Sequence, residues 1–324
     1  MRTTTPSSAP GISPAGSSLP DPAATDAVPT AGERALVLGG GGSTGNAWLI
    51  GVVAGLADAG LDVSTTADVT VGTSAGSTAA AQLAGATPAE LYAAALVAPP
   101  RPQSGPSGPA AGGDRTRQAA DQMARTAAVI AGARDAADMR RRLGEAALAL
   151  PGSSDEAVQS RWRATVAARL PDPSWPRTAV LLTAVDAQTG EPFVFDRQSG
   201  VDLVDAVAAS CASGFAYRVG ERQYLDGGYR RNENADLAAG HRRVLVLSPF
   251  GGRTRAPLGW GLQLSAQVDE LRERGSDVEV IVPGAGADHF FGPQAMDLSL
   301  RPAAAEAGYE RGTALAERVA ALWR

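Results

Sequence analysis

Between residues 34 and 83 the chain twice runs a short apolar strand into a glycine turn and out into a helix. Ala35-Leu36-Val37-Leu38 is stopped by Gly39-Gly40-Gly41-Gly42. Asn46 to Ala59 then sets Trp48, Leu49, Val52, Val53 and Leu56 at helical spacing, with Gly60 placed as a C-cap. Asp68 to Val71 is the second strand, Gly72-Thr73-Ser74-Ala75-Gly76 the second turn, and Ser77 to Leu83 a helix of small residues. Apolar runs this short suit strands buried on both faces, and the alternation with helices predicts a parallel α/β sheet. Ala179 to Val185, Arg222 to Leu225, Val244 to Leu247 and Val278 to Val282 supply further strands. Pro192 to Asp196 reads as a return strand, and Asp205 to Ser210 and Ala303 to Trp323 read as helices. The fold class expected is α/β, with a central, mainly parallel sheet flanked by helices.

Two stretches fall outside that pattern. Residues 1–32 are rich in Pro, Ala and Ser and nearly without large apolar side chains. They cannot offset their ordering entropy by burial, so a disordered tail is expected. Residues 33–324 are read as one domain. Within it, the Pro/Gly/Ser-dense segment 99–113 is expected to be a mobile loop. Helices over 115–150 and 162–170 then complete a cap spanning 99–170.

Composition removes several chemistries. All 29 basic residues are Arg, which excludes a Schiff-base lysine and a P-loop lysine. Cys211 is the single cysteine, so no intrachain disulfide forms, and two histidines without metal-ligand spacing give no zinc motif. The net charge of -5 gives no general attraction to nucleic acid. No run of about 18 apolar residues and no signal-type apolar segment occurs in the sequence, which leads to the expectation of a cytoplasmic protein, peripheral to membranes at most.

The glycine turns carry the chemistry. Gly72-Thr73-Ser74-Ala75-Gly76 fits G-x-S-x-G, in which a serine on a sharp strand-to-helix turn is lifted above the sheet and its neighbours must lack side chains. Gly41-Gly42-Ser43-Thr44-Gly45 fits the same pattern. Periodicity does not separate Ser43 from Ser74; mechanism favours Ser74. Acyl transfer needs a nucleophile and a separate set of N–H donors for the oxyanion, and only with Ser74 attacking does the tetraglycine stay free for that task. Asp226-Gly227-Gly228 follows a strand and places a carboxylate at its end, a turn on its own and a candidate base beside the other two elements.

In this order the three elements resemble the bacterial patatin-like phospholipases: a glycine-rich oxyanion loop (Gly40-Gly41-Gly42-Ser43-Thr44-Gly45), an elbow (Gly72 to Gly76) and D-G-[AG] (Asp226-Gly227-Gly228). Thr183 to Gly190, Ala208 to Ala212 and Asn234 to Ala238 are similar to the flanking segments of that family. The resemblance implies a patatin-like three-layer sandwich and a serine acyl hydrolase acting on phospholipid or other lipid esters, with no metal or cofactor. Ser74 would be the nucleophile and Asp226 its partner. Gly40, Gly41 and Gly42 would donate to the oxyanion, Gly72 and Gly76 would shape the elbow, and Gly45, Gly227 and Gly228 would complete the motifs. Its partner would be an acyl lipid or other ester, met by transient contact with a membrane surface. The chain departs from the family pattern at Thr44, where Arg or Lys is usual, and in Ser213 to Tyr217, which lacks the usual prolines.

Three alternatives stand beside this reading. Ser74, Asp226 and His289 occur in the chain order of an α/β-hydrolase triad, although the elbow follows only the second strand. His289 otherwise reads as a loop or core residue, and His241 as a solvated residue at a helix end. Gly40-x-Gly42-x-x-Gly45 fits a dinucleotide fingerprint, but no acidic residue ends the second strand. A non-catalytic lipid-binding protein on the same fold is the third.

Overall fold

A computed structural model describes residues 1, 32–97 and 110–324. Residues 2–31 of the expected tail and residues 99–109 of the expected loop lie outside them. Residues 110–113 of that loop already belong to a helix.

The described elements are, in order, β1 (Arg34–Leu38), α1 (Gly42–Asp58), α2 (Val63–Thr66), β2 (Val69–Gly72), α3 (Ala75–Gly85), α4 (Pro88–Leu96), α5 (Ala110–Gly132), α6 (Ala136–Leu148), α7 (Glu156–Ala167), β3 (Ala179–Asp186), β4 (Pro192–Phe195), α8 (Leu203–Ser210), β5 (Tyr217–Val219), β6 (Arg222–Asp226), β7 (Arg243–Leu247), α9 (Leu264–Glu273), β8 (Asp277–Ile281) and α10 (Arg301–Trp323). Among the described residues eight strands form one sheet, with hydrogen-bonded order β5-β6-β3-β2-β1-β7-β8 and β4 paired to β3. The β1, β2, β7 and β8 pairings and that of β2 with β3 are parallel, whereas β4, β5 and β6 pair antiparallel.

Strand alternation sorts the core into two layers. On β1, Leu36 and Leu38 join one buried cluster with α1, α3, α8 and α10, while Ala35 and Val37 join a second with α9. On β7, Leu245 and Leu247 face the first cluster and Val244 and Val246 the second. Both faces are therefore dry, which explains why these strands read as unbroken apolar runs. The result is the expected mostly parallel sheet between two helical layers.

The register of β3 sets up the site. Leu182 pairs both Gly72 of β2 and Phe195 of β4, so β2 and β4 lie on opposite edges of β3. Ala184 pairs both Phe193 of β4 and Asp226 of β6, so β6 takes the same edge as β2. Thus β2 and β6 meet nearly end to end along β3, running in opposite senses. The last residue of β6, Asp226, lies two β3 positions beyond the last residue of β2, Gly72.

A second arrangement concerns α1 and α10, which touch at their backbones. A Cβ on Gly51 would strike Ala305 O and one on Gly55 would strike Tyr309 O; Gly308 meets Trp48 O and Gly312 meets Val52 O in the same way. These pairs climb together along both helices, so the two run parallel, with the first turn of α10 level with the first turn of α1.

Candidate active site

Ser74 stands between β2 and α3 with φ +53 and ψ −113, a backbone conformation that costs a side-chain-bearing residue about 1–3 kcal/mol. Among the described residues Asn234 is the only other non-glycine at positive φ. Ser43 has no such strain: it sits in the first turn of α1. The elbow glycines are forced by proximity. A Cβ on Gly72 would lie 2.7 Å from Ser77 Cα, and one on Gly76 would run into Leu38 O. The Ser74 N–H donates to Ser210 Oγ (3.0 Å), and its carbonyl accepts from Ser77 Oγ (2.6 Å) and Cys211 Sγ (3.1 Å). The strained turn is thus held at both peptide groups.

Asp226 is buried, 8% exposed, and accepts from the Gly228 N–H at 2.8 Å. Burial pushes its carboxyl up to about 6; the approach of the Ser74 hydroxyl, the Gly228 N–H and the charge of Arg255 oppose that rise. A carboxylate made more basic next to a serine hydroxyl can receive its proton. The glycine after it is also required, because a Cβ on Gly227 would strike Thr183 Oγ1.

Asn234 ties the two halves together. It is fully buried and left-handed, and its Nδ2 lies within hydrogen-bond distance of Thr73 Oγ1 (3.0 Å), Thr183 Oγ1 (3.2 Å), Gly227 O (3.2 Å) and Arg231 O (2.6 Å). One amide therefore joins the elbow, β3 and the Asp226 turn. Asn234→Ala should destabilise the fold by about 2–3 kcal/mol through buried acceptors left unpaired. Denaturant unfolding measures it, and an unchanged midpoint would deny Asn234 that role.

The glycine loop is pinned from several sides. Gly39 N–H donates to Leu247 O (3.0 Å), Gly40 N–H to Asn232 O (2.9 Å) and Thr44 N–H to Ala295 O (3.0 Å). Gly40 is the correction here: its N–H is spent on Asn232, so of the three expected donors only Gly41 and Gly42 keep an N–H without an acceptor among the described residues. Gly41 caps α1 with no side-chain cap bond, and no acidic residue stands in the first turn. Such a helix start favours negative charge. Thr44, the departure from the resembled pattern, is fully buried and donates to Phe290 O at 2.8 Å.

Beneath the loop lies Glu233, 1% exposed. It accepts from Asn232 Nδ2 (2.9 Å), Ser248 Oγ (2.7 Å) and Gln267 Nε2 (3.4 Å), and burial raises its pKa. It holds Asn232, which in turn holds Gly40. Sequence reasoning missed Asn232, Glu233 and Ser210 as site residues. Asn232 and Glu233 follow the D-G-G turn closely, and Ser210 lies inside the Ala208 to Ala212 segment that resembles the family, so all three could have been suspected.

The histidines take no part in this geometry. His289 is exposed, and its Nδ1 lies 2.8 Å from Gly286 O in its own turn; no hydrogen bond joins it to Ser74 or Asp226 among the described residues. His241, expected to be solvated, is 1% exposed and packed over the backbone of Gly32, with Nδ1 3.1 Å from Ala238 O. Among the described residues no cluster of His, Cys, Asp and Glu could hold a metal, and no helix is long and apolar enough to cross a membrane.

A family model described as patatin-like phospholipase matches residues 36–239, which include both glycine turns and the Asp226 turn. Among solved structures, VipD from Legionella pneumophila is similar at 14% identity and a TM-score of 0.39, over 90% of this chain and 67% of that one. No curated protein matches the chain.

Proposed function

Because the chain belongs to the patatin-like phospholipase family, we propose that it hydrolyses acyl-lipid esters with Ser74 as nucleophile and Asp226 as the proton-transferring group. The observation that carries the reading is the strained Ser74 turn facing a buried carboxylate whose pKa is raised to about 6.

Ser74 Oγ attacks the ester carbonyl carbon, and its proton passes to Asp226. The carbonyl oxygen becomes an oxyanion, met by the Gly41 and Gly42 N–H groups. Collapse breaks the bond to the alcohol, which leaves with the proton from Asp226, and an acyl-Ser74 ester remains. Water then attacks that ester and gives its proton to Asp226. Collapse releases the fatty acid and returns the proton to Ser74. The loop is fixed before substrate arrives, so its donors need no reorganisation as charge develops. No cofactor is needed for these steps.

Helices α5 and α6 lie beside the base. Met139 and Leu143 of α6 pack with Leu225 and Val185, and Gln122 Nε2 donates to Ser213 O at 2.9 Å. They form the cap of this reading. Exposed Leu258, Met296 and Leu298 are apolar side chains available to a lipid surface.

Fluorophosphonate labelling with peptide mapping tests the assignment. The expected result is one adduct on Ser74, lost in Ser74→Ala and retained in Ser43→Ala. An adduct on Ser43 would reverse the roles of the two turns. A folded chain that takes no adduct would favour a non-catalytic lipid-binding protein.

A further inference from the structure

Arg301 is the first residue of α10, yet its guanidinium is joined to the start of α1. Nη1 donates to Ser43 O (2.7 Å) and Ser43 Oγ (3.2 Å), and Nη1 and Nη2 both lie 3.2 Å from Asn46 Oδ1. All these acceptors are neutral, and no carboxylate pairs with Arg301 among the described residues. A half-buried cation held by neutral acceptors alone gives up part of its hydration without a counter-charge in return.

The delivery of the side chain is exact to within a helical turn. The parallel backbone contact of α1 with α10 places residue 301 level with the start of α1. Asn46, held by Arg301, donates in turn to Gln82 Oε1 (2.9 Å) and lies 3.5 Å from Ala75 O, beside Ser74. Gln82 Nε2 donates to Arg169 O (3.0 Å). Burial lowers the pKa of Arg301, and the second cation, Arg169, lowers it further. The Arg301 charge therefore stands at the start of α1, one hydrogen-bonded residue, Asn46, away from the elbow helix.

We propose that Arg301 is the positioning residue of the oxyanion loop. It fixes the peptide that follows Ser43, one residue past the Gly41 and Gly42 donors, and adds fixed positive charge behind their N–H groups. The assignment rests on the hydrolase reading above. Its effect belongs to the transition state, where the oxyanion exists, and not to ground-state binding.

The test compares wild type, Arg301→Lys and Arg301→Ala on a neutral p-nitrophenyl ester and on a phosphate-bearing ester, with fluorophosphonate labelling of Ser74 and a thermal melt for each. Arg301→Ala should lose about 10- to 100-fold in kcat and in labelling rate, with KM within about 2-fold and little change in melting temperature. Millimolar guanidinium chloride should restore part of the loss, and sodium chloride at equal ionic strength should not. Arg301→Lys should fall between the two. An unchanged kcat, or a loss that follows the melting temperature and resists rescue, would overturn the assignment. A change confined to KM for the phosphate-bearing ester would overturn it too, by making Arg301 a headgroup contact. A wild type unlabelled at Ser74 removes the hydrolase reading and this assignment with it. A labelled wild type with an unimpaired Arg301→Ala removes this assignment alone.

Discussion

Asp226→Asn should lose about 10³- to 10⁴-fold in turnover and yet unfold at a higher temperature than wild type at pH 7. The two effects share one cause. Burial raises the Asp226 carboxyl from 3.8 to about 6, so the folded chain binds a proton there more tightly than the unfolded chain does. Stability therefore falls as pH rises from about 4 to about 6, and at pH 7 the folded state carries a buried carboxylate at a cost of roughly 3 kcal/mol. Asparagine keeps an oxygen for the Gly228 N–H and removes the charge. The stability advantage of the variant should close as pH drops below about 4, where wild type is neutral in both states. Activity runs the other way: the wild-type rate should climb with pH through about 6, as the base form appears. Melting curves at two pH values and a pH–rate profile test both signs. Full turnover in Asp226→Asn would take the carboxylate out of the mechanism, and equal stability at pH 7 would mean that the site does not bury a charge.

Gly76→Ala is expected to be the most damaging one-methyl change among the two elbow turns. The added carbon would be driven into the carbonyl of Leu38, the last residue of β1 and a central strand. The group struck is backbone and a methyl has no rotamer to change, so nothing relieves the contact, and a loss above about 4 kcal/mol is expected. Soluble yield and melting temperature measure it, with Gly259→Ala as the comparison, since a Cβ there meets nothing within 4 Å. A stable, labelled Gly76→Ala would show that the elbow yields where its packing says it cannot.

Much of this was legible in the chain. The paired strand–turn–helix units gave β1, β2 and α3 nearly to their ends, because apolar period and glycine punctuation are local signals, whereas α1 starts at Gly42, ahead of the expected Asn46 and inside the glycine run read as a turn. The start of α4 was equally local: Thr87 and Glu90 form a reciprocal capping box with Pro88 at the first position, and the motif was passed over in an Ala-rich run. The glycine loop shows where local reading stops. Four glycines in a row announce available N–H groups, but only the fold reveals that Gly40 has spent its own on Asn232, nearly two hundred residues away. His241 was misread for the same reason, since its burial is supplied by Gly32 and by the turn ending β7's approach. Arg301 is unremarkable in sequence and meets the glycine loop only through the α1–α10 contact, while the resemblance around Ser210 does not say that its hydroxyl holds the Ser74 N–H.

The pinning of the glycine loop bears on how such a chain is made. By the time residue 234 has left the ribosome, the proposed nucleophile and base and both glycine turns have all been synthesised. The contacts that hold the loop come from Leu247, Ala295 and Arg301 as well as from Asn232. The unfinished chain thus carries every proposed reacting group without the frame that holds the glycine loop. If the loop needs all of these contacts, a chain truncated before α10 should hydrolyse no ester even though it holds Ser74 and Asp226.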